Sequence, residues 1–221
     1  MIKIINYKNQ KDNIKLTNFL NKRRSGKNTN TKIVEKILND IKKNKIKAVY
    51  KYEKKFSNNK NIYPSKSQIS NSIKSLDNKV KKAIDLAYNR IFKFHSLQKI
   101  KNIKYIDKFK NKIEYVNVPI NSVGIYVPAN LPSTLLMNAI PSKICGVKNI
   151  ILANPKLNGK LNPAVMYAAK KCGINKVVNI GGAQAIGSLA YIFKVDKIVG
   201  PGSDYVAQAK KKYLVMLVRR E

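Results

Sequence analysis

Histidine occurs once in this chain of 221 residues and cysteine twice, while 11 aspartates and glutamates stand against 45 lysines and arginines. Each scarcity excludes something. A zinc site needs three or four ligands of His, Cys, Asp or Glu type, and no stretch gathers them. Cys145 and Cys172 lie far apart without CxxC spacing, and after Glu114 the acidic residues are Asp196, Asp204 and the terminal Glu221. The two cysteines make neither a zinc knuckle nor a disulfide framework. Each falls in an apolar helical pattern and is expected to pack as a small buried hydrophobe. His95, in Phe92-Lys93-Phe94-His95-Ser96, is expected to be a packed helix residue rather than a base or a metal ligand. No run reaches the roughly 18 apolar residues that span a bilayer. The start, Met1-Ile2-Lys3-Ile4-Ile5-Asn6-Tyr7-Lys8, is too broken by charge for a signal peptide, so the expected compartment is the cytoplasm.

Lysine is what the chain has in excess, with a formal net charge of +34. A polyanion would exploit such charge through counterion release. The lysines, however, are interleaved with Asn and Ile along the whole chain, as an AT-rich coding sequence produces, and form no single stripe. Arginine, which reads guanine and grips phosphate bidentately, is confined to Arg23, Arg24, Arg90, Arg219 and Arg220. A solvated lysine-rich surface is therefore expected, not specific nucleic-acid binding. The 44% hydrophobic content excludes wholesale disorder, and the length suffices for one large domain or two small ones, each with a core.

Three textures follow one another. Residues 1 to about 30 are polar and end in a loop-like stretch, Arg23-Arg24-Ser25-Gly26-Lys27-Asn28-Thr29-Asn30. Residues 32 to about 100 are charged and helical in period: Ile33, Val34, Ile37 and Ile41, then Ala48, Val49 and Tyr52, follow the spacing of an amphipathic helix. A second such pattern runs through Val80, Ile84, Ala87, Ile91 and Phe94. From Ile120 onward charge falls and Gly, Ala and Val rise, which marks the expected domain boundary. That last region repeats a short apolar strand followed by a helix. The strands are Val123 to Val127, Asn149 to Ala153, Lys176 to Ile180, and Lys197 to Val199. The helices open at Pro132-Ser133-Thr134, at Asn162-Pro163, after Gly181-Gly182-Ala183-Gln184, and around Tyr205 to Lys212. Continuous apolar strands alternating with helices imply a parallel sheet covered on both faces, with right-handed crossovers.

In such a sheet, ligands bind at the carboxyl ends of the strands. Two of the loops there, Gly181-Gly182-Ala183-Gln184 and Gly200-Pro201-Gly202-Ser203, are glycine-rich and lead into helices. Such turns let backbone N–H groups and the helix dipole receive a phosphate, or they simply turn the chain tightly. GxGxxG, the usual dinucleotide fingerprint, is absent. Asp196 is expected in a turn or cap just before a strand. Asp204 is expected to cap the following helix or to touch a ligand.

At these residues the chain resembles histidinol dehydrogenase. The matching stretches are Pro119 to Pro128 (PINSVGIYVP), Leu136 to Pro141 (LMNAIP), Asn179 to Ile186 (NIGGAQAI), Val195 to Gly202 (VDKIVGPG) and Val206 to Lys210 (VAQAK). Weaker likeness extends upstream, through Val34 to Ile41, Tyr52 to Phe56 and Ala87 to Gln98. The resemblance implies an α/β fold in which a Rossmann-like parallel sheet with helices on both faces follows a mostly helical, incomplete first domain. The implied division is an N-terminal segment at 1–30, the N-terminal part of a discontinuous α/β domain at 31–119, an NAD-binding domain at 120–212 and a divergent tail at 213–221. It also implies oxidation of L-histidinol to L-histidine with NAD, in a zinc-dependent homodimer whose protomers both contribute to each site. Carried over by position, the NAD contacts fall on Tyr126 and Gln184. Ser203 stands where the family has Asn after Gly-Pro-Gly, and serine lacks the amide. The loop Ala129 to Thr134 is compressed relative to the family.

In the family, a second half follows with a glutamate–histidine acid/base pair and the zinc ligands. This sequence diverges at Tyr213 and stops. The expectation is a truncated or frame-shifted product that retains the cofactor half, has no catalytic or metal-binding residue of its own, and leaves apolar helix faces uncovered. The alternatives are a non-catalytic nucleotide-binding module, complemented by a separately encoded half, and, more remotely, a basic nucleic-acid binder.

Overall fold

The computed structural model describes residues 9–24 and 31–218. Of the expected loop from Arg23 to Asn30, Arg23 and Arg24 are helical instead, ending the first helix, and Ser25 to Asn30 lie outside the described residues, as do Met1 to Lys8 and Arg219 to Glu221. The chain opens with α1 (Gln10–Arg24), where the sequence reading had only a polar segment, and continues into α2 (Thr31–Ser57). Two helical pieces make up α2, meeting at Lys45 with φ 51° and ψ −130°. The Asp40 carboxylate spans this kink: it accepts from Asn44 Nδ2 (2.7 Å) on the first piece and from Lys51 Nζ (2.9 Å) and the Tyr52 hydroxyl (2.9 Å) on the second. The hydrogen bond from Asn44, then those from Lys51 and Tyr52, lower the Asp40 pKa to about 2.

After α2 come α3 (Lys66–Lys74) and α4 (Asn78–Ser96). A capping box starts α3, in which Ser65 Oγ accepts from Gln68 N–H and Gln68 Oε1 accepts from Ser65 N–H; α4 starts on the side chain of Asp77. These caps satisfy N–H groups that have no partner within the helix. A two-stranded antiparallel hairpin follows, β1 (Ile103–Ile106) and β2 (Lys112–Tyr115), with every residue exposed. The sequence reading placed nothing there.

The remainder is the expected strand–helix repeat: β3 (Ser122–Tyr126), α5 (Pro132–Ile144), β4 (Asn149–Ala153), α6 (Pro163–Lys171), β5 (Lys176–Val178), α7 (Gly182–Tyr191), β6 (Lys197–Val199) and α8 (Asp204–Val218). Instead of breaking off near Lys212, α8 continues through Val218. The four strands are all parallel, in the order β5-β4-β3-β6.

Successive strand residues face opposite sides, and the sheet therefore supports two cores. One holds Val123, Ile125, Val127, Leu152 and Val177 with α5, α6 and Ile84 of α4. The other holds Tyr126, Ile151, Ala153 and Val178 with α7, α8 and the inner face of α2, namely Val34, Ile37, Leu38, Ile41, Ala48 and Val49. The N-terminal helices are thus split between the two sides: α2 packs on α7 and α8, while α3 and α4 pack on α6 and α5. The inner stripe of α2 is covered, whereas α4 leaves Val80, Leu86, Phe92 and Phe94 exposed, and further exposed apolar residues lie on the hairpin and its flanks, including Leu97, Ile100, Phe109 and Val118. At Gly187 an added Cβ would come within 2.8 Å of Ile41 Cδ1 and 3.2 Å of Leu38 Cδ2. Absence of a side chain there is what lets α2 and α7 approach closely.

Candidate functional site

The strand order reverses at β3, because β4 continues the sheet on one side and β6, reached by way of α7, lies on the other. Such a reversal opens a crevice at the carboxyl ends of β3 and β6. Tyr126 ends β3, and β6 exits there into Gly200. Gly200 has φ +106°, and a Cβ on it would overlap the Tyr126 carbonyl oxygen. Both facts require glycine, which lets the exit loop of β6 lie directly on the end of β3. Lys210 of α8 holds the loop from the other side, its Nζ donating to the Gly200 carbonyl. Half-burial lowers the pKa of that ammonium. Ser203 precedes α8, exposed, with its carbonyl accepting from Ala207 N–H at 2.9 Å. Asp204 occupies the first turn of α8 rather than its cap. At the opposite end of the sheet, Asp196 Oδ2 accepts from Ser122 N–H (2.8 Å) and Oγ (3.0 Å), tying the starts of β6 and β3 together.

The glycine turn at the start of α7 is already filled. Glu53, on the second piece of α2, is 1% exposed. Its Oε1 accepts from Gly181 N–H (3.0 Å) and from Gln184 Nε2 (2.8 Å), and its Oε2 from Asn59 Nδ2 (3.3 Å). The sequence reading left this turn either to receive a phosphate or simply to turn the chain tightly; a side chain of the protein holds the position a phosphate would take. Burial pushes the Tyr126 hydroxyl pKa up, the Gly182 N–H works against this, and the Glu53 charge adds to it. Tyr126 and Gln184 therefore meet around Gly182, both buried, whereas Ser203 lies in the open at the head of α8.

Two amides line the same carboxyl edge. Asn154, after β4, donates from Nδ2 to the carbonyls of Val127 (3.0 Å) and Pro128 (3.1 Å). Asn179, after β5, donates its N–H to the Ile62 carbonyl (2.7 Å), and its own carbonyl accepts from Asn59 Nδ2 (2.7 Å). The Asn154 and Asn179 Oδ1 atoms are the buried side-chain acceptors without a partner among the described residues. A cleft of about 540 Å³, lined in part by Gln68, Ser72, Lys156, Lys160 and Asn179, opens beside β5.

A second cleft, about 850 Å³, lies elsewhere, among His95, Asn102, Pro119, Pro141, Ile144 and Cys145. Pro119 precedes β3 and Cys145 follows α5, which places this cleft at the amino ends of the strands. Cys145 departs from expectation here, whereas His95 lies on a helix as expected. His95 is half-buried at the end of α4, its Nδ1 2.6 Å from Gln98 Oε1. Cys145 is exposed, because it falls just past the last turn of α5, beyond the apolar stripe that would bury it. Cys172 is buried as expected; burial pushes its thiol up to about 11, against the nearby Lys143 charge. No group of three or more His, Cys, Asp or Glu residues that could hold a metal occurs among the described residues, so they do not fit a zinc site. No described helix is long and apolar enough to cross a membrane.

The strand order, the two-faced helical cover and the crevice at the reversal define an α/β protein of the doubly wound, Rossmann-like class. Within that class, the family described as histidinol dehydrogenase matches residues 20–218. The histidinol dehydrogenase of Pelagibacter ubique is 56% identical over 219 residues, 96% of this chain and 51% of that protein. That of Prochlorococcus marinus subsp. pastoris is 41% identical over 224 residues, 95% of this chain and 51% of that protein. The crystal structure of histidinol dehydrogenase from Elizabethkingia anophelis superposes with a TM-score of 0.77 at 35% identity, over 84% of this chain and 45% of that one. The chain belongs to the histidinol dehydrogenase family. It spans about half the length of the curated relatives it matches.

Proposed function

We propose that this chain is the cofactor-binding half of an NAD-dependent histidinol dehydrogenase, with NAD held at the β3–β6 crevice by Tyr126, Gln184 and Ser203. The observation that carries the proposal is the strand reversal at Tyr126, closed by Gly200, in a chain 56% identical to a histidinol dehydrogenase over half its length. Tyr126 would present a rigid ring edge at the end of β3. Gln184 would offer an amide from the first turn of α7, and Ser203 a hydroxyl in place of an amide at the open head of α8. NAD, when bound, supplies the hydride acceptor; the residues of this half bind and orient it and exclude water. The whole enzyme would oxidise L-histidinol to L-histidine in histidine biosynthesis, as a cytoplasmic homodimer using zinc. The groups for proton transfer and metal binding would lie in the half of the relatives that this chain does not span.

Calorimetric titration of the 221-residue chain with NAD tests the site. Saturable heat is expected, weakened about 10-fold or more by Tyr126→Ala, in line with the loss of an aromatic contact. Equal affinity in wild type and Y126A would remove Tyr126 from the site. With histidinol and zinc added, no NADH should form, because no group of three or more potential metal ligands occurs among the described residues and the acid/base pair would lie in the other half. Turnover by the purified chain would overturn the division of labour.

A further inference from the structure

A turn that leads from a strand through glycines into a helix exposes N–H groups and the positive end of a dipole, the two features that draw an anion. At the start of α7 both are already used. Gly181 N–H and Gln184 Nε2 converge on Glu53 Oε1 at 3.0 and 2.8 Å, and Asn59 Nδ2 reaches Oε2 at 3.3 Å. All three partners are donors, which suits an ionised carboxylate, a group that only accepts. The Gly182 N–H faces the Tyr126 hydroxyl closely enough to work against the rise in its pKa. Glu53 is 1% exposed and Gln184 3%, leaving little room for a second anion. A phosphate placed here would compete for the same donors and face a buried like charge, an arrangement that disfavours ionisation of both.

We propose that Glu53 is a resident anion filling the N-terminus of α7, a specificity-determining residue that shuts phosphate out of the Gly181–Gly182 turn and fixes the Gln184 amide with its nitrogen turned inward. The consequence for recognition is directional. With Nε2 committed to Glu53, Gln184 has only Oε1, which lies against Gly182, to offer a ligand, and so it selects a hydroxyl or amide donor rather than a phosphate oxygen. If a dinucleotide binds as proposed above, its phosphates lie along the β3–β6 crevice and not on α7. The exclusion of phosphate does not depend on that reading.

The test uses the whole 221-residue chain, labelled with ¹⁵N, and inorganic pyrophosphate as probe. In wild type, pyrophosphate should leave the Gly181 and Gly182 amide resonances and the Tm unchanged. In Glu53→Ala both resonances should move with added pyrophosphate and the Tm should rise. Glu53→Gln fills the same volume without the charge: its Gly181 resonance should differ from wild type, yet pyrophosphate should still leave it in place. Three results would each overturn the proposal: wild-type Gly181 and Gly182 moving as far as those of E53A, a folded E53A that does not respond, or an E53Q whose Gly181 resonance matches wild type. Should E53A not fold, wild type and E53Q decide the matter. Failure of the chain to bind NAD would remove the cofactor reading and leave these results standing.

Discussion

Asp40 gathers three donors from both sides of the Lys45 kink, so its charge holds α2 in its bent form. Its folded pKa is about 2 against an ordinary 3.8. A depressed carboxyl stabilises the fold above its unfolded value and loses that contribution as pH falls through the folded one. Asp40→Asn should cost about 1–2 kcal/mol near neutral pH, the lower part of the worth of hydrogen bonds to a charged group, because solvent screens this partly exposed carboxylate. The gap between wild type and D40N in urea midpoints should close as pH falls from about 4 to about 2. A gap independent of pH would mean that the charge is irrelevant. Tyr52 is the other half of the same contact: burial first, then the Asp40 hydrogen bond, push its hydroxyl up to about 12, so it remains a donor across the physiological range.

Among the elements, α2 carries the clearest strain. Lys45 sits at φ 51° and ψ −130°, a region that side chains with a Cβ adopt at a cost of order 1–3 kcal/mol. Lys45→Gly should therefore raise stability by about 1 kcal/mol, after allowing for the greater freedom of glycine in the unfolded chain; a lowered urea midpoint would show that the kink is not strained. The two halves of α2 were readable in sequence only as two apolar stripes, Val34 to Ile41 and Ala48 to Tyr52. The strand–helix repeat was readable because its strands are buried on both faces and end at Pro, Gly or Asn. The β1–β2 hairpin was not, since all of its residues are exposed and no buried face imposes a period. Nor was α1, whose apolar residues Ile14, Leu16, Phe19 and Leu20 are scattered among polar ones and include no buried residue. Ser65 and Gln68 did offer a capping-box signature for α3. Glu53 could not be placed at the site from local pattern, because its partner Gly181 is 128 positions away; the one clue was a glutamate directly beside the stripe of Ala48, Val49 and Tyr52. Cys145 was misplaced because a helical stripe that includes Leu135, Ala139 and Ile140 ends one turn before it.

Stability across the whole molecule should be uneven. β3 and β4 lie between two cores, whereas the hairpin has neither a covered face nor a third strand, and an isolated two-stranded hairpin is marginal in water. Amide hydrogen exchange should therefore be fast for Ile103 to Tyr115 and slow, approaching the global unfolding limit, for Val123 to Tyr126 and Ile151 to Ala153. Equal protection in the two regions would indicate that the hairpin is covered in solution. The net charge of +34 acts at this scale as well, through self-repulsion that salt screens over about 10 Å at 0.1 M.

The packing of α2 on α7 also has a bearing on synthesis. Val34, Ile37, Leu38 and Ile41 form an apolar stripe near the beginning of the chain, yet the helix that covers it starts at Gly182. At roughly 5–20 residues per second on the ribosome, the 128 positions between Glu53 and Gly181 correspond to roughly 6–25 seconds of translation. For that interval the nascent chain carries a bare apolar helix face and an unpaired Glu53, while α3 and α4 wait likewise for α5 and α6. The layer of α3, α4, α5 and α6 can close once β5 has emerged, whereas the layer of α2 must wait for α7 and α8, so the two faces of the sheet are covered in sequence and the α2 stripe stays bare longest.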